Sequence, residues 1–204
     1  MYLFLNKIQR KLIKYSDKLD RYQNFYVHKN FLDKAACDEL IGLMKEYEMK
    51  ETKVNINNES VRDTAHRKGN EVPLPLEDKT LWIYDKLERA VRSCNTHAYD
   101  FKLIGFTQSI RVLEYKVGDH YQTWHQDFGR GRTSTRKLSV SIQLSDPSEY
   151  EGGALEFFNG DFIQAPREQG SLVIFPSFVF HRVVSVTEGT RHSLVAWMNG
   201  PHFS

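Results

Sequence analysis

The sequence predicts a mainly β protein, an antiparallel sandwich or barrel behind an N-terminal helical layer. Three observations predict it. After residue 101 the chain breaks into short segments, 101–117, 137–145, 153–158, 171–175, 181–187 and 190–198, often alternating and rich in Val, Ile, Leu and aromatics. Gly, Pro, Asp and Ser separate these segments, as antiparallel strands require. Before residue 101 the apolar residues recur instead at helical spacing.

The elements follow in order. In residues 3–22, Phe4, Ile8, Leu12, Tyr15 and Leu19 form one stripe, and Lys7, Arg10, Lys11, Lys14 and Lys18 cover much of the rest. That is an amphipathic helix. It either packs on the domain with a solvated basic face or lies against a membrane surface or an acidic partner. "NFYVHKNF" is a short strand. A helix follows it, with Asp33 as N-cap and Cys37, Leu40, Ile41 and Met44 facing inward. Residues 51–79 lack periodicity and are rich in Asn and charge, which predicts a long loop with a few irregular strands. A second helix is expected over 78–97, with Leu81, Trp82, Tyr84, Leu87, Ala90 and Val91 inward.

Composition narrows the class. The chain has 204 residues, enough for one domain with a substantial core, and 40% hydrophobic with 26% charged residues is ordinary for a globular protein. A net charge of +2 gives no clear nucleic-acid signal. The two cysteines, Cys37 and Cys94, make no CxxC pair and no disulfide framework, which points to a reducing compartment. No transmembrane segment is expected, because no apolar run approaches the roughly 18–20 residues a bilayer span needs. "MYLFLNKIQRK" turns basic at once, the reverse of a secretory signal. A cytoplasmic protein is expected.

The chemistry begins at "HYQTWHQDFG". On an extended segment residues i and i+2 point the same way, so His125 and Asp127 can share one ion. An HxD pair is common by chance and needs a third ligand. His181 follows "GSLVIFPSFVF", a buried strand with a Pro turn, and opens "HRVVSV", a position from which a strand-end histidine faces a pocket. Two histidines and one carboxylate on one face of an octahedron leave three positions open, a set that suits Fe(II). Zinc sites use similar ligands. Trp124 is expected to pack beside the ion, and His120 to be a residue of the strand approach.

Two strands add a polar interior. Arg191, Ser193, Val195 and Trp197 share one face of "RHSLVAW", and His192, Leu194 and Ala196 the other. An inward Arg191 needs an anionic partner, which a carboxylate ligand would supply through a bidentate pair. The alternative is a surface arginine on an edge strand. In "LSVSIQLS", Val140, Ile142 and Leu144 form an apolar face and Ser139, Ser141 and Gln143 a polar one. The polar face either lines a ligand pocket or belongs to an ordinary half-exposed strand.

These residues resemble the 2-oxoglutarate- and Fe(II)-dependent dioxygenases, in the prolyl 4-hydroxylase superfamily and close to the small bacterial and phage-type oxygenases of PKHD type. "LEYKVGDHYQTWHQD", "LSDPSEYEGGALEFF" and "LVIFPSFVFHRVVSVTEGTRHSLVAWMNGP" carry the likeness, in the right order, over residues 105–201. The resemblance implies a double-stranded β-helix (a jelly roll) braced by N-terminal α-helices. It implies one domain over 1–204, with 1–100 as helical support plus N-terminal strands and loops, and 101–201 as the catalytic core. It implies His125, Asp127 and His181 as ligands of Fe(II), and Arg191 as the residue that binds the distal carboxylate of 2-oxoglutarate. Tyr115, ten residues before His125, matches a tyrosine that contacts the co-substrate. Gln143 stands where some relatives have a tyrosine against the same carboxylate. Ser193 resembles the Arg-x-Ser arrangement of other branches.

The implied reaction consumes dioxygen, converts 2-oxoglutarate to succinate and CO2, and hydroxylates an unactivated C–H bond. Ascorbate is a candidate accessory cofactor, and no acid–base pair is needed. The expected substrate is a protein or peptide, in the manner of a prolyl hydroxylase; the alternative is a free amino acid or small metabolite. A nucleic-acid demethylase is disfavoured because "RHSLVAW" lacks the second arginine of the R-x-N-x-T-x-R pattern. A non-catalytic jelly-roll binding module is disfavoured by the complete set of His125, Asp127, His181 and Arg191. Loops 51–79 and 128–137, the latter with Arg130, Arg132, Arg136 and Lys137, are candidate lids. The sequence does not set the oligomeric state.

Overall fold

The helices begin where side chains replace missing backbone partners. The computed structural model describes residues 24–56, 59–159 and 161–203. Helix α1 (Lys34–Leu43) opens at Asp33, whose carboxylate accepts from the Ala36 amide at 2.9 Å. Helix α2 (Asp78–Ala98) opens at Glu77, whose backbone amide donates to Thr80 Oγ1 at 3.1 Å. The helix expected over 3–22 lies outside the described residues.

Strands, numbered in chain order, form two facing sheets. The larger runs β1 (Tyr26–His28), β13 (Leu172–Pro176), β9 (Arg136–Gln143), β15 (Val186–Asn199), β7 (Ile110–Lys116), β5 (Asn70–Leu74) and β2 (Lys50–Glu51). Two short strands, β6 (Gly105–Phe106) and β10 (Tyr150–Gly152), also pair with β15. The smaller sheet runs β12 (Asp161–Gln164), β11 (Leu155–Asn159), β14 (Phe180–Val183) and β8 (Tyr121–His125). A separate hairpin joins β3 (Val54–Ile56) to β4 (Glu59–Val61). From β7 onward the chain crosses between the sheets: β7 larger, β8 smaller, β9 larger, β11 and β12 smaller, β13 larger, β14 smaller, β15 larger. That alternation of antiparallel strands is the double-stranded β-helix, or jelly roll.

Alternation along each strand decides what lies inside. Val140, Ile142, Leu194 and Ala196 face outward from the larger sheet and pack with Leu40, Ile83, Leu87 and Val91 of the helices. The opposite faces of the same strands carry Ser139, Ser141, Gln143, Arg191 and Ser193, and all five are buried between the sheets. Leu113, Phe157, Val173, Phe175 and Val183 fill the apolar part of that interior. The polar face of "LSVSIQLS" is therefore interior and not half-exposed.

Three details differ from expectation. On α2, Leu81 is 45% exposed and Ile83 is fully buried, because the inward stripe runs through Ile83, Leu87, Val91 and Cys94. Trp82 sits at the edge of that stripe, half-buried, and its Nε1 donates to Glu39 of α1 at 3.0 Å. On α1, Leu43 is buried while Ile41 is only half-buried. Within 51–79, β5 is a full member of the larger sheet, antiparallel to β7, with Val72 and Leu74 fully buried. Pro73 disguised it. The proline is tolerated because it lies beyond the last pairing of β2, at Glu71, where β5 becomes an edge.

Candidate metal centre

Two histidines meet because β8 and β14 are paired antiparallel with His125 opposite His181. Their ring centroids lie 4.2 Å apart. Asp127 follows two residues after β8 ends. Its segment is held by the Phe128 amide donating to Ser177 O at 2.8 Å, and by Gln126 donating to Phe178 O. One candidate ligand atom from each of His125, Asp127 and His181 lies within 4.8 Å of the others. Aromatic walls surround them: Tyr121 stacks on His125 at 3.5 Å, and Phe175 sets its edge to His181 at 4.7 Å.

Hydrogen bonding fixes how these groups present themselves. Each imidazole directs Nδ1 at a backbone carbonyl two residues earlier, His125 at Thr123 O and His181 at Val179 O, both at 2.9 Å. A carbonyl only accepts, so each Nδ1 carries the proton and each Nε2 keeps a free lone pair. His181 Nε2 faces Asp127 Oδ2 at 3.5 Å. Two electron-rich atoms facing each other are what a bound cation reconciles. Burial and the neighbouring His181 push the His125 imidazolium down to about 3, so the ring is neutral, as a ligand must be. Burial opposes ionisation of Asp127. The neighbouring His181 ring, the Arg136 guanidinium and a 2.7 Å hydrogen bond from Ser139 outweigh it, holding the carboxyl below its usual range. Two nitrogens, one carboxylate and open remaining positions fit Fe(II), and the same set fits Zn(II).

Across the interior, the larger sheet presents a buried cation. Arg191 is 1% exposed, donates from Nη2 to Gln143 Oε1 at 2.8 Å, and leaves Nε and Nη1 without a partner. Its Cζ lies 5.6 Å from the ring centre of Tyr115, its register partner on β7. Gly153, at φ +62°, lets the Arg191 stem pass: a Cβ there would stand 2.7 Å from Arg191 Cδ. Ser193 lies two residues along the same face, in register with Gln143. A buried guanidinium with two orphaned donors fits the carboxylate of a ligand.

The structure thus brings together His125, Asp127 and His181, and separately Arg191, Tyr115, Gln143 and Ser193, on facing sheets. Trp124 is a correction. It alternates with His125 on β8 and so points to the outer face, where it packs on Phe158 and Phe162 at centroid distances of 5.9 and 5.6 Å, with Arg182 over its ring. His120 does belong to the strand approach, exchanging two backbone hydrogen bonds with Lys68. The basic loop 128–137 divides. Arg130 and Arg132 are exposed, whereas Lys137 is buried at the start of β9 and Arg136 stacks on Trp197 at 3.8 Å with Nη1 3.3 Å from Asp127 O. Sequence reading missed the contacts of Ser139, Arg136 and Tyr121 with the site. The only signal was the polar parity of β9, which marked Ser139 as interior. A cavity of about 350 Å3 lined by Tyr26, Phe31, Lys86 and Arg89 lies elsewhere and contains none of these groups.

Fold and site together define a jelly-roll protein with a His-x-Asp…His cluster that could hold a metal ion, facing a buried arginine. Residues 110–199 match the 2OG-Fe(II) oxygenase superfamily, and the chain is similar to PKHD-type hydroxylases. It is 30% identical over 146 residues to a PKHD-type hydroxylase of Synechococcus sp. (strain CC9605), covering 67% of this chain and 65% of that one. With a PKHD-type hydroxylase of Synechococcus sp. (strain CC9902) it shares 35% identity, covering 48% of this chain and 44% of that one. The match therefore spans less than two thirds of the length of either relative. Among solved structures, a prolyl-4-hydroxylase of Pseudomonas putida superposes with a TM-score of 0.70 at 19% identity, over 91% of this chain and 96% of that one. A prolyl hydroxylase in complex with a hypoxia inducible factor oxygen degradation domain peptide fragment, from Trichoplax adhaerens, superposes with a TM-score of 0.72 at 16% identity, over 98% and 93%. At these identities the structural likeness concerns the fold.

Proposed function

We propose that the protein is an Fe(II)- and 2-oxoglutarate-dependent hydroxylase of an unactivated C–H bond, acting on a protein or peptide. One observation carries the proposal: Arg191, fully buried with two unpartnered nitrogens, on the sheet that faces the His125–Asp127–His181 cluster. Among the described residues no carboxylate satisfies it, so a carboxylate that arrives with a ligand accounts for its burial.

His125, Asp127 and His181 would hold the iron, and Arg191 would hold the distal carboxylate of 2-oxoglutarate. When bound, iron and 2-oxoglutarate supply the oxidising chemistry, with dioxygen consumed and succinate and CO2 released. The protein's own residues position and exclude. Asp127, kept ionised, contributes one negative charge. Ser139 holds one of its oxygens and so fixes the carboxylate plane. Gln143 immobilises the Arg191 fork, so that little rotamer freedom is lost when a carboxylate docks. Tyr115, Phe157 and Phe175 shield the interior from water. None of these groups needs to move a proton.

A peptide substrate is favoured by the prolyl hydroxylase neighbours, one of them bound to a peptide. Free amino acids are the second reading. Cys37 and Cys94 are free and buried, which supports a cytoplasmic location. The test is Fe(II)-dependent release of succinate, with mass spectrometry of candidate peptides for a product heavier by one oxygen atom. Succinate release is expected from the wild type and lost in Asp127→Ala. Equal release by that variant, or none by the wild type, removes the proposal.

A further inference from the structure

Beside the candidate metal centre lie three arginines, two of which, Arg67 and Arg111, share the carboxylate of Glu71, while the third, Arg136, faces Asp127. Arg136, the first residue of β9, donates from Nη2 to Gln108 at 2.6 Å and lies 4.0 Å from Asp127 Oδ1. Arg111 on β7 lies over the same Trp197 ring, at 5.3 Å, and donates from Nη1 to Glu71 Oε1 at 2.8 Å. Arg67 reaches the other oxygen of Glu71 at 3.5 Å and lies 5.0 Å from the centre of Tyr121, the ring stacked on His125. The cluster is therefore tied to the centre at two points, Asp127 and the Tyr121–His125 stack.

The charges do not balance. Three guanidinium groups face Glu71 and Asp127, and Asp127 is committed to the metal in the reading above. Glu71 alone remains for three cations. The Nε of each arginine is buried without a hydrogen-bond partner. Gathering like charges at low exposure is costly unless an anion joins them. Arg111 is the one placed to receive it. Its side chain is 28% exposed against 11% for Arg67 and Arg136, and only its Nη1 is hydrogen-bonded.

We infer that the substrate carries a carboxylate, and that Arg111, with Arg136 beside it on Trp197, binds that carboxylate next to the carbon to be hydroxylated. This inference names the substrate class of the proposed hydroxylase and rests on that reading. A planar guanidinium matches a carboxylate edge-on, and Trp197 fixes the plane of the fork. The carboxylate comes either from an acidic side chain within a peptide or from a free chain end. Arg111 is here a specificity-determining residue, with no part in holding the metal.

The test uses the full chain with Mn(II) and saturating 2-oxoglutarate in air-free buffer, so that Arg191 is occupied and nothing turns over. Calorimetry first measures 2-oxoglutarate itself. It then compares acetyl-Ala-Pro-Glu-Ala-amide with its Gln counterpart, and Ala-Pro with a free carboxyl end with its amide. We expect one acid form to bind about tenfold or more tighter than its amide, the size of one charge-assisted hydrogen bond. Whichever pair shows the preference identifies the source of the carboxylate. The preference should shrink with added salt and fall below about threefold in Arg111→Gln. It should persist in Arg92→Gln, on the solvent side of α2. Acid and amide forms that bind alike, or that both fail to bind, overturn the inference, and the wild-type comparison alone decides this. If 2-oxoglutarate fails to bind while the acid preference persists, the hydroxylase reading falls and the anion pocket stands.

Discussion

The two sheets hold the two halves of the site by different means. The larger sheet is covered on both faces, by α1 and α2 outside and the smaller sheet inside, and Ile142, Ile174 and Leu194 are fully buried. Among the described residues the smaller sheet is covered on one face only. On its outer side Phe158, Phe162 and Phe180 are 42%, 68% and 45% exposed. The covered sheet carries Arg191, a buried cation held by the packing around it and by its hydrogen bond to Gln143. The uncovered sheet carries His125 and His181, which local hydrogen bonds to carbonyls two residues away orient without help from a second layer. A metal centre can thus be preassembled on a thin support, whereas an unpaired buried charge needs a thick one.

The largest expected effect separates the halves. His181→Ala should abolish metal binding and turnover together. Arg191→Ala should leave metal binding intact and weaken 2-oxoglutarate by more than a hundredfold, roughly the 3 kcal/mol of a truncated buried charge pair. Titration with Mn(II), followed by 2-oxoglutarate, distinguishes the two. Loss of metal in Arg191→Ala would show that the sheets do not act separately.

Stability should divide along the same line. Ile142→Ala removes methyl groups packed between sheet and helices and should cost about 2–5 kcal/mol. Phe162→Ala, on the open face of the smaller sheet, should change stability by about 0.5 kcal/mol or less. Urea unfolding of the two variants measures both. A cost for Phe162→Ala equal to that of Ile142→Ala would mean that the aromatic face is structurally loaded.

A finer effect tests how the sheets cooperate. Ser139 belongs to the larger sheet yet donates to Asp127 at 2.7 Å, and it also bonds Ser177 at 2.9 Å. Ser139→Ala should lower metal affinity by roughly 10–100-fold, as the loss of a group orienting a ligand does, with little loss of stability. Unchanged affinity would assign the Asp127 orientation to its backbone contacts alone.

Much of this was legible in the sequence, for physical reasons that can be named. Strand parity put Ser139 with Gln143, and Arg191 with Ser193, on single polar faces, and the fold buries both faces because the sheet that carries them is covered. The same parity, applied to β8, puts Trp124 opposite His125, so expecting it beside the ion neglected the alternation that had made the HxD pair meaningful. Register was not legible. That His125 stands opposite His181, or that Arg136 reaches Asp127, depends on long-range pairing that no local pattern encodes. Nor was β5, where Pro73 and flanking polar residues mask a strand held by its partner β7. The arginine cluster draws on three separate stretches, and only folding shows that Arg67, Arg111 and Arg136 share an environment.

The smallest effect is confined to alkaline pH and belongs to the covering layer alone. Cys37 on α1 and Cys94 on α2 are buried. Burial, with Asp38 and Asp33 nearby, pushes the Cys37 thiol up to about 11, and burial pushes that of Cys94 up to about 12, from an ordinary value near 9.0. Above pH 9.0 the unfolded chain releases protons that the folded chain keeps. The stabilisation is therefore complete below that pH and is lost progressively up to about 11–12. Urea unfolding between about pH 9 and 11 should show stability falling with pH more steeply in the wild type than in Cys94→Ala. The smaller sheet carries no cysteine, so the variant isolates the helical layer. Identical slopes would mean that water reaches Cys94 in the native state, and that the layer over the larger sheet is looser than the burial of Ile83, Leu87 and Val91 implies.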